Sequence, residues 1–384
     1  MKSICVVVGS RANYSSIKSA MRHIAANPKL ELQLVLGASA ILDRYGSVSK
    51  LIEADGFAPI AKVHMLIEGE TPATMAKSTG LGLLELPSIF EAAKPDVVLT
   101  IGDRFETMAT TLAAAYMNIP VAHTMGGEVS GTIDESIRHA VTKFAHIHFP
   151  ASKDAAERIV KLGEPAGTVH LVGCPRIDLV SEFLEKDDGS ALSAIFDAGV
   201  GEKLDISKPF VLVSQHPVTT EYGEGERQIT ATLQAVRDLD LPAVVLWPNA
   251  DAGSDDIARG IRKWRERKLD RHMHFFKNLP VDTYIALMKR AACLIGNSSS
   301  GIREGAFIGT PVVNVGSRQA GRERGHNVVD VPHDLGALRE AIARQTAHAR
   351  YPMDPVYGDG NAGRRIAEIL AGYGPVNVQK RITY

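Results

Sequence analysis

Several side chains capable of proton transfer or anion binding stand where short apolar runs give way to glycine. Asp103 follows the run Val97–Ile101 and Gly102, and Glu128 follows Val121–His123 and the pair Gly126-Gly127. Paired glycines let a ligand approach the backbone beside Glu128. Asp134 and Glu135 open the amphipathic stretch that begins near Thr132. Carboxylates gathered at one edge can have their pKa values driven apart, so that one takes a proton while another gives one. The chain order supports that convergence without fixing any distance. Asp103 could equally cap a helix, and Thr132 with Glu135 fits a capping box.

A second group reads as an anion site. Phe210–Ser214 ends in Gln215-His216-Pro217, where Pro217 fixes the turn that presents His216 as a ligand or an acid–base group. Gly296-Asn297-Ser298-Ser299-Ser300-Gly301-Ile302-Arg303-Glu304 lies between an apolar run and a helical stretch. Ser298, Ser299, Ser300 and Gly301 leave backbone N–H groups open at a helix N-terminus, which suits a diphosphate. Glu304 is placed to accept hydrogen bonds from ribose hydroxyls. Arg318 and Arg322 follow Val312–Val315, and Arg11 follows Ile4–Val8 and Gly9-Ser10. Arginine at such points can hold phosphate oxygens bidentately. A plain helix cap and solvated surface arginines are the competing readings.

Several chemistries are excluded. The first turn is not GxGxxG and no Gly-Lys-Ser/Thr occurs, so neither a dinucleotide fingerprint nor a Walker loop is present. His146 and His148, like His272 and His274, alternate at metal-like spacing but have no third ligand nearby in sequence. No metal and no cofactor are expected.

The elements that must position these groups alternate along the chain. Strand-like runs at Ile4–Val8, Leu32–Leu36, Val97–Ile101, Val121–His123, Ile147–Phe149 and Val169–Val172 are separated by stretches with helical spacing. A second series follows at Phe210–Ser214, Ala243–Trp247, His274–Phe276, Cys293–Gly296 and Val312–Val315. Continuous apolar strands alternating with helices predict an α/β protein with parallel sheets covered on both faces. Ligands bind such sheets at strand C-termini. The polar, Asp-rich stretch 186–208 reads as a linker. It separates a first doubly wound domain at 1–185 from a second at 209–358, the two facing a cleft. Residues 359–384 supply a last helix and tail that could pack back on the first domain.

Composition bounds the rest. The chain has 384 residues, beyond the usual reach of one hydrophobic core, and 45% of them are hydrophobic against 23% charged, the profile of a globular protein. Its 43 basic and 44 acidic residues nearly cancel, which speaks against a nucleic-acid partner. The basic run Arg259–Lys268 reads as the solvated face of a helix. No apolar run is long enough to span a membrane, and the start lacks a signal-peptide pattern. Cys5, Cys174 and Cys293 form no disulfide or metal spacing, which points to a reducing cytoplasm.

Taken together, GSRANY at 9–14, IGDRFET at 101–107, GGEVSGTIDESIRHAVTK at 126–143, QHP at 215–217 and GNSSSGIREGAFIGTPVVNVGSRQAGR at 296–322 resemble the hydrolysing UDP-N-acetylglucosamine 2-epimerases. The resemblance implies a GT-B-like fold, two Rossmann-like domains with a nucleotide sugar between them. It implies anti elimination of UDP to a 2-acetamidoglucal, then hydration to N-acetylmannosamine. Asp103, Glu128 and Asp134, with Glu135 beside it, match the acids of proton transfer, and His216 matches a diphosphate contact. Arg11, Ser298, Ser299, Ser300, Glu304 and Arg322 match nucleotide-binding positions. Non-hydrolysing relatives carry Arg-Pro-Glu near the start and need a second UDP-sugar as activator. This chain has Arg11-Ala12-Asn13 there, so no such activation is expected. Close relatives act on 2,4-diacetamido-trideoxy sugar nucleotides of legionaminic acid synthesis; a glycosyltransferase of the same fold is the remaining alternative. The expected assembly is a homo-oligomer, dimer or tetramer.

Overall fold

A computed structural model describes residues 1–43, 48–69, 71–248 and 251–383. The chain divides into two compact units. One comprises Met1–Val129, Ile133–Ser181 and the residues from Tyr357 onward; the other comprises Ser130–Thr132 and Glu182–Val356. Among the described residues no helix is long and apolar enough to cross a membrane.

The first unit begins with β1 (Lys2–Val8), α1 (Arg11–Ala26), β2 (Leu30–Gly37), α2 (Val48–Ala54), β3 (Pro59–Val63) and α3 (Pro72–Ala93). It continues through β4 (Val97–Ile101), α4 (Phe105–Tyr116), β5 (Val121–Thr124), α5 (Ile133–Phe144), β6 (Ile147–Phe149), α6 (Lys153–Lys161) and most of α7 (Pro175–Lys186), whose residues from Glu182 onward belong to the second unit. The strand order is β3-β2-β1-β4-β5-β6, and every pairing is parallel. All the strand C-termini therefore lie on one edge. The winding reverses between β1 and β4, the place where an open α/β sheet leaves a crevice at that edge. Central strands are wholly buried, as in β4, whereas the edge strand β3 is half exposed. That difference explains why β3, with Pro59 and Lys62, was not visible as an apolar run.

The second unit holds β7 (Val200–Gly201), β8 (Val211–Ser214), α8 (Gly225–Arg237), β9 (Ala243–Leu246), α9 (Ser254–Glu266), β10 (Met273–Phe276) and α10 (Val281–Arg290). After these come β11 (Cys293–Gly296), α11 (Ser299–Ile302), α12 (Glu304–Ile308), β12 (Val312–Val315), β13 (Val328–Val331) and α13 (Leu335–Ala347). Strand order is β13-β12-β11-β8-β9-β10-β7, with the reversal between β8 and β11. Only β7 is antiparallel, against β10. The final helix, α14 (Ala362–Gly372), belongs to the first unit, where Lys2 Nζ donates to its Leu370 carbonyl at 2.8 Å.

Two readings of the sequence need correction. Stretch 186–208 is part of the second unit rather than a free linker, because Leu192, Ile195 and Leu204 enter a core cluster with Phe210, Leu212 and Leu294. Polar composition hid those three anchors. Val169–Val172 is not a strand; it makes a single bridge, from Val169 to His148.

Candidate active site

At the edge of the first unit, Asp103 sits in the turn between β4 and α4. The cap of α4 is Arg104, with no side-chain cap bond, so Asp103 is not the capping residue. Its carboxylate instead forms an ion pair with Arg138, which is completely buried on α5. The second amino group of Arg138 donates to the Glu128 carbonyl at 2.8 Å. One guanidinium fork thus joins the turn after β4 to the loop after β5, using planar geometry that lysine lacks.

That second loop is narrowly determined. Gly127 has a φ of +76°, and a Cβ there would lie 2.2 Å from the Ala155 carbonyl oxygen. At Gly126 a Cβ would lie 2.8 Å from His123 Nδ1. Arg158 donates to the Gly127 carbonyl at 2.6 Å while pairing with Asp154. Glu128 is 3% exposed at the end of this loop. Below it, His123 is fully buried, and burial lowers its pKa to about 3 despite the Gly102 carbonyl 2.7 Å from Nε2. It remains a neutral imidazole that donates to that carbonyl and so fixes the β4 turn. Asp134 and Glu135 lie in the first turn of α5, one turn before Arg138, and Glu135 faces His139 at 3.6 Å.

Arg11 is the first residue of α1, whose cap Ser10 accepts from the Asn13 N–H. Burial lowers the Arg11 pKa from its ordinary value, which for a guanidinium leaves the charge in place. Asn13 is used locally, its side-chain oxygen accepting from the Gly9 N–H at 3.2 Å. A Cβ at Gly9 would strike Glu106, so this glycine lets the turns after β1 and β4 lie side by side.

In the second unit β8 and β11 pair directly, with Ser214 opposite Gly296. His216 and the serine-rich turn are therefore neighbours at the reversal of the winding. Asn297 joins them: its amide oxygen accepts from the His216 N–H at 2.7 Å, and its amide nitrogen donates to the His216 carbonyl at 2.9 Å. Ser298 caps α11, Ser300 Oγ lies 2.8 Å from Ser298 Oγ, and Tyr284 OH lies 2.5 Å from Ser300 Oγ. Gln319 and Arg318 both donate to the Asn297 carbonyl, at 2.8 and 3.2 Å. Arg322 and Glu304 are each about 95% buried. Ser299 is partly exposed at the first position of α11, and Gly301 is buried behind it.

The helical stretch after the serine-rich turn is α12, and a further short helix, α11, precedes it from Ser299, the two separated at Arg303. Arg138, Asn297, Tyr284 and Gln319 were absent from the sequence-based site. A signal existed for Arg138: it shares a buried face of α5 with Val141 and Thr142, at the spacing of helix neighbours. The histidine pairs are structural. His148 meets Glu164 at 3.2 Å, and both ring nitrogens of His274 lie 2.8 Å from backbone carbonyls.

Residues 22–371 match the family model described as UDP-N-acetylglucosamine 2-epimerase. The chain belongs to that epimerase family. Similar to it is a hydrolysing UDP-N,N'-diacetylbacillosamine 2-epimerase of Legionella pneumophila, 31% identical with 96% of each chain covered. A UDP-N-acetylglucosamine 2-epimerase of Neisseria meningitidis is 28% identical over 96% of this chain and 95% of its own. Among solved structures, the 2-epimerase of Methanocaldococcus jannaschii in complex with UDP-GlcNAc and UDP superposes with a TM-score of 0.81 at 17% identity, covering 96% of this chain and 99% of that one. The epimerase is thus an α/β protein of the two-domain, GT-B-like kind.

Proposed function

We propose that this epimerase is of the hydrolysing type, converting a UDP-2-acetamido sugar and water into the free 2-epimeric sugar and UDP. The observation that carries the reading is the Arg138 fork, which gathers the Asp103 carboxylate and the Glu128 loop at one strand-end edge. In this reading a carboxylate of that edge removes the proton at sugar C2 as the bond from C1 to the UDP oxygen breaks, leaving a 2-acetamidoglucal. Water then adds its hydroxyl to C1 and releases its other proton to solvent, while a second acid of the set, Asp103, Glu128 or Asp134, delivers a solvent-exchangeable proton to C2 on the opposite face. Positioned acid–base groups typically contribute about 10²–10⁴-fold to such steps. Ser298, Ser299, Ser300 and Gly301, with Arg11, Arg318, Arg322 and His216, are proposed to hold the UDP, and Glu304 its ribose. The hydrogen-bonded frame around Asn297, to whose carbonyl Gln319 and Arg318 donate, supports this binding role.

UDP-N-acetylglucosamine is the first substrate of this reading, in keeping with the family. A second is UDP-N,N'-diacetylbacillosamine, favoured by the 31% identity to the hydrolysing enzyme of Legionella. Purified protein should be incubated in deuterated water and in ¹⁸O-labelled water with each sugar nucleotide alone. The reading requires deuterium at C2 of a released 2-epimer and ¹⁸O at C1, none of it on UDP. A UDP-linked epimer as product would make the enzyme non-hydrolysing, and retention of the C2 hydrogen would sink the elimination.

A further inference from the structure

Behind the acidic edge, the first unit contains a buried charge cluster that the reaction does not use. Glu164 is 1% exposed, with Lys143 Nζ 2.5 Å from one carboxylate oxygen and Lys380 Nζ 2.6 Å from the other. His148 Nε2 lies 3.2 Å from that second oxygen. Burial alone would raise the Glu164 pKa, but hydrogen bonds from His148, Lys143 and Lys380 bring it down to about 2. An isolated carboxylate would not remain charged in such a place; this one does because cations surround it.

Lys380 arrives on the C-terminal segment, which lies against the end of α5, the turn before β6 and the residues after α6. The Val378 carbonyl lies 3.1 Å from His146 Nε2, and the Thr383 N–H donates to the Gly163 carbonyl at 3.0 Å. Gly163 has a φ of +87°, and a Cβ there would lie 2.5 Å from Ile382 Cγ1, so the segment is fitted closely to this surface. Besides Glu164, the Lys380 ammonium meets the carbonyls of Thr142 at 3.3 Å and Lys143 at 2.8 Å, and that of Ala145. Thr142 and Lys143 stand in the last turn of α5, where carbonyls lack helical partners and the helix dipole is negative. A cation with several donors satisfies both needs.

From there one helix leads to the site. Thr142 Oγ1 donates to the Arg138 carbonyl at 3.0 Å, and the Arg138 guanidinium holds Asp103 and the Glu128 loop. We infer that Lys380, with Glu164, is a positioning residue for the reaction: it clamps the C-terminal end of α5 and so fixes where Arg138 places Asp103 and Glu128. This inference rests on the catalytic role proposed above for those two carboxylates. Displacement of a reacting group by about 1 Å is enough to slow a reaction by one to two orders of magnitude.

The test uses the full chain with Lys380→Met, which keeps length but removes charge and donors, and Lys380→Arg, which keeps the charge. Turnover of the UDP-2-acetamido sugar that the wild type accepts is measured alongside hydrogen exchange of peptides covering 102–104 and 133–145. For Lys380→Met, kcat should fall about tenfold with KM within about twofold, exchange in both peptides should rise, and Lys380→Arg should recover most of the loss. Unchanged exchange in Lys380→Met overturns the inference. So does a kcat loss that matches the fraction unfolded by circular dichroism, or an arginine variant no better than methionine. If the wild type turns over no such sugar, the functional reading fails alone, and the exchange data still decide whether Lys380 holds α5 and the Asp103 turn.

Discussion

The strand-end edge of the first unit is held together chiefly by ion pairs, that of the second chiefly by amides and hydroxyls, with Arg318 donating to the Asn297 carbonyl. Asp103 owes its position to the buried Arg138, and the Gly127 carbonyl to the partly exposed Arg158. His216 and the serine-rich turn owe theirs to one asparagine, two serine hydroxyls and a tyrosine. A network of ion pairs is sensitive to proton gain and loss, which suits groups that exchange protons with a substrate. A frame of amides, hydroxyls and an arginine that stays charged keeps its shape at any working pH, which suits an anchor for a ligand that already carries its charge. The proposed function places the chemistry at the first edge and most of the UDP binding at the second.

The sharpest way to break that division is to disable each edge and measure both properties. Asp103→Asn and Glu128→Gln should reduce kcat by about 10²–10⁴-fold while leaving UDP affinity nearly unchanged. Ser299→Ala and Glu304→Ala should do the reverse, weakening UDP binding by about tenfold for a lost hydrogen bond to a charged or buried partner. Calorimetric titration with UDP and steady-state turnover on the same preparations decide it. Were Asp103→Asn to keep normal turnover, its pairing with Arg138 would be architecture only.

The same contrast governs what the sequence reveals. The second edge is largely contiguous, with polar residues from Gly296 to Glu304 between a buried strand and short helices, so its members stand out. The first is assembled from three turns and one helix. Asp103 and Glu128 are conspicuous because each follows an apolar strand and glycine, but Arg138 looks like an ordinary basic residue of an amphipathic helix. Its spacing with Val141 and Thr142 points to a buried face, but the pairing with Asp103 and the Glu128 loop depends on how α5 packs on the sheet, which local pattern does not specify. Edge strands escaped for a related reason. β13 and β3 are partly exposed along their length, and β7 is exposed throughout, so they lack the unbroken apolar run of a central strand. The strand order, and with it the reversal points beside Arg11 and His216, depends on crossovers that no motif records.

A second prediction concerns the frame around Asn297. Asn297 is fully buried, and its amide satisfies both backbone groups of His216. Asn297→Ala would strand a buried N–H and a buried carbonyl, at a cost of about 2–4 kcal/mol. Trp247 and Trp264 both lie in the second unit, so tryptophan fluorescence during urea unfolding reports on it directly. An unchanged urea midpoint would mean that water replaces the asparagine, and that the frame is less important than its geometry implies.

The smallest effect sharpens the comparison through pH. In the first unit His123, His139, His146, His148 and His170 all have pKa values lowered chiefly by burial. In the second, burial likewise lowers the pKa of His333. A histidine whose folded pKa lies below its unfolded value contributes stability in full above the unfolded pKa, near 6.5. That contribution is lost as pH falls, because the unfolded chain takes up a proton that the folded one refuses. For His123, with a folded value of about 3, the loss begins near pH 6.5 and amounts to about 2 kcal/mol by pH 5. Acid should therefore loosen the first unit before the second. Hydrogen exchange of peptides covering 97–149 should accelerate between pH 7 and pH 5, after correction for the intrinsic pH dependence of exchange, while the tryptophan-reported urea midpoint moves less. A tryptophan transition that shifts first, or as far, would show that the charge-built edge is no more sensitive to protons than the other, and the electrical contrast between the two edges would lose its functional meaning.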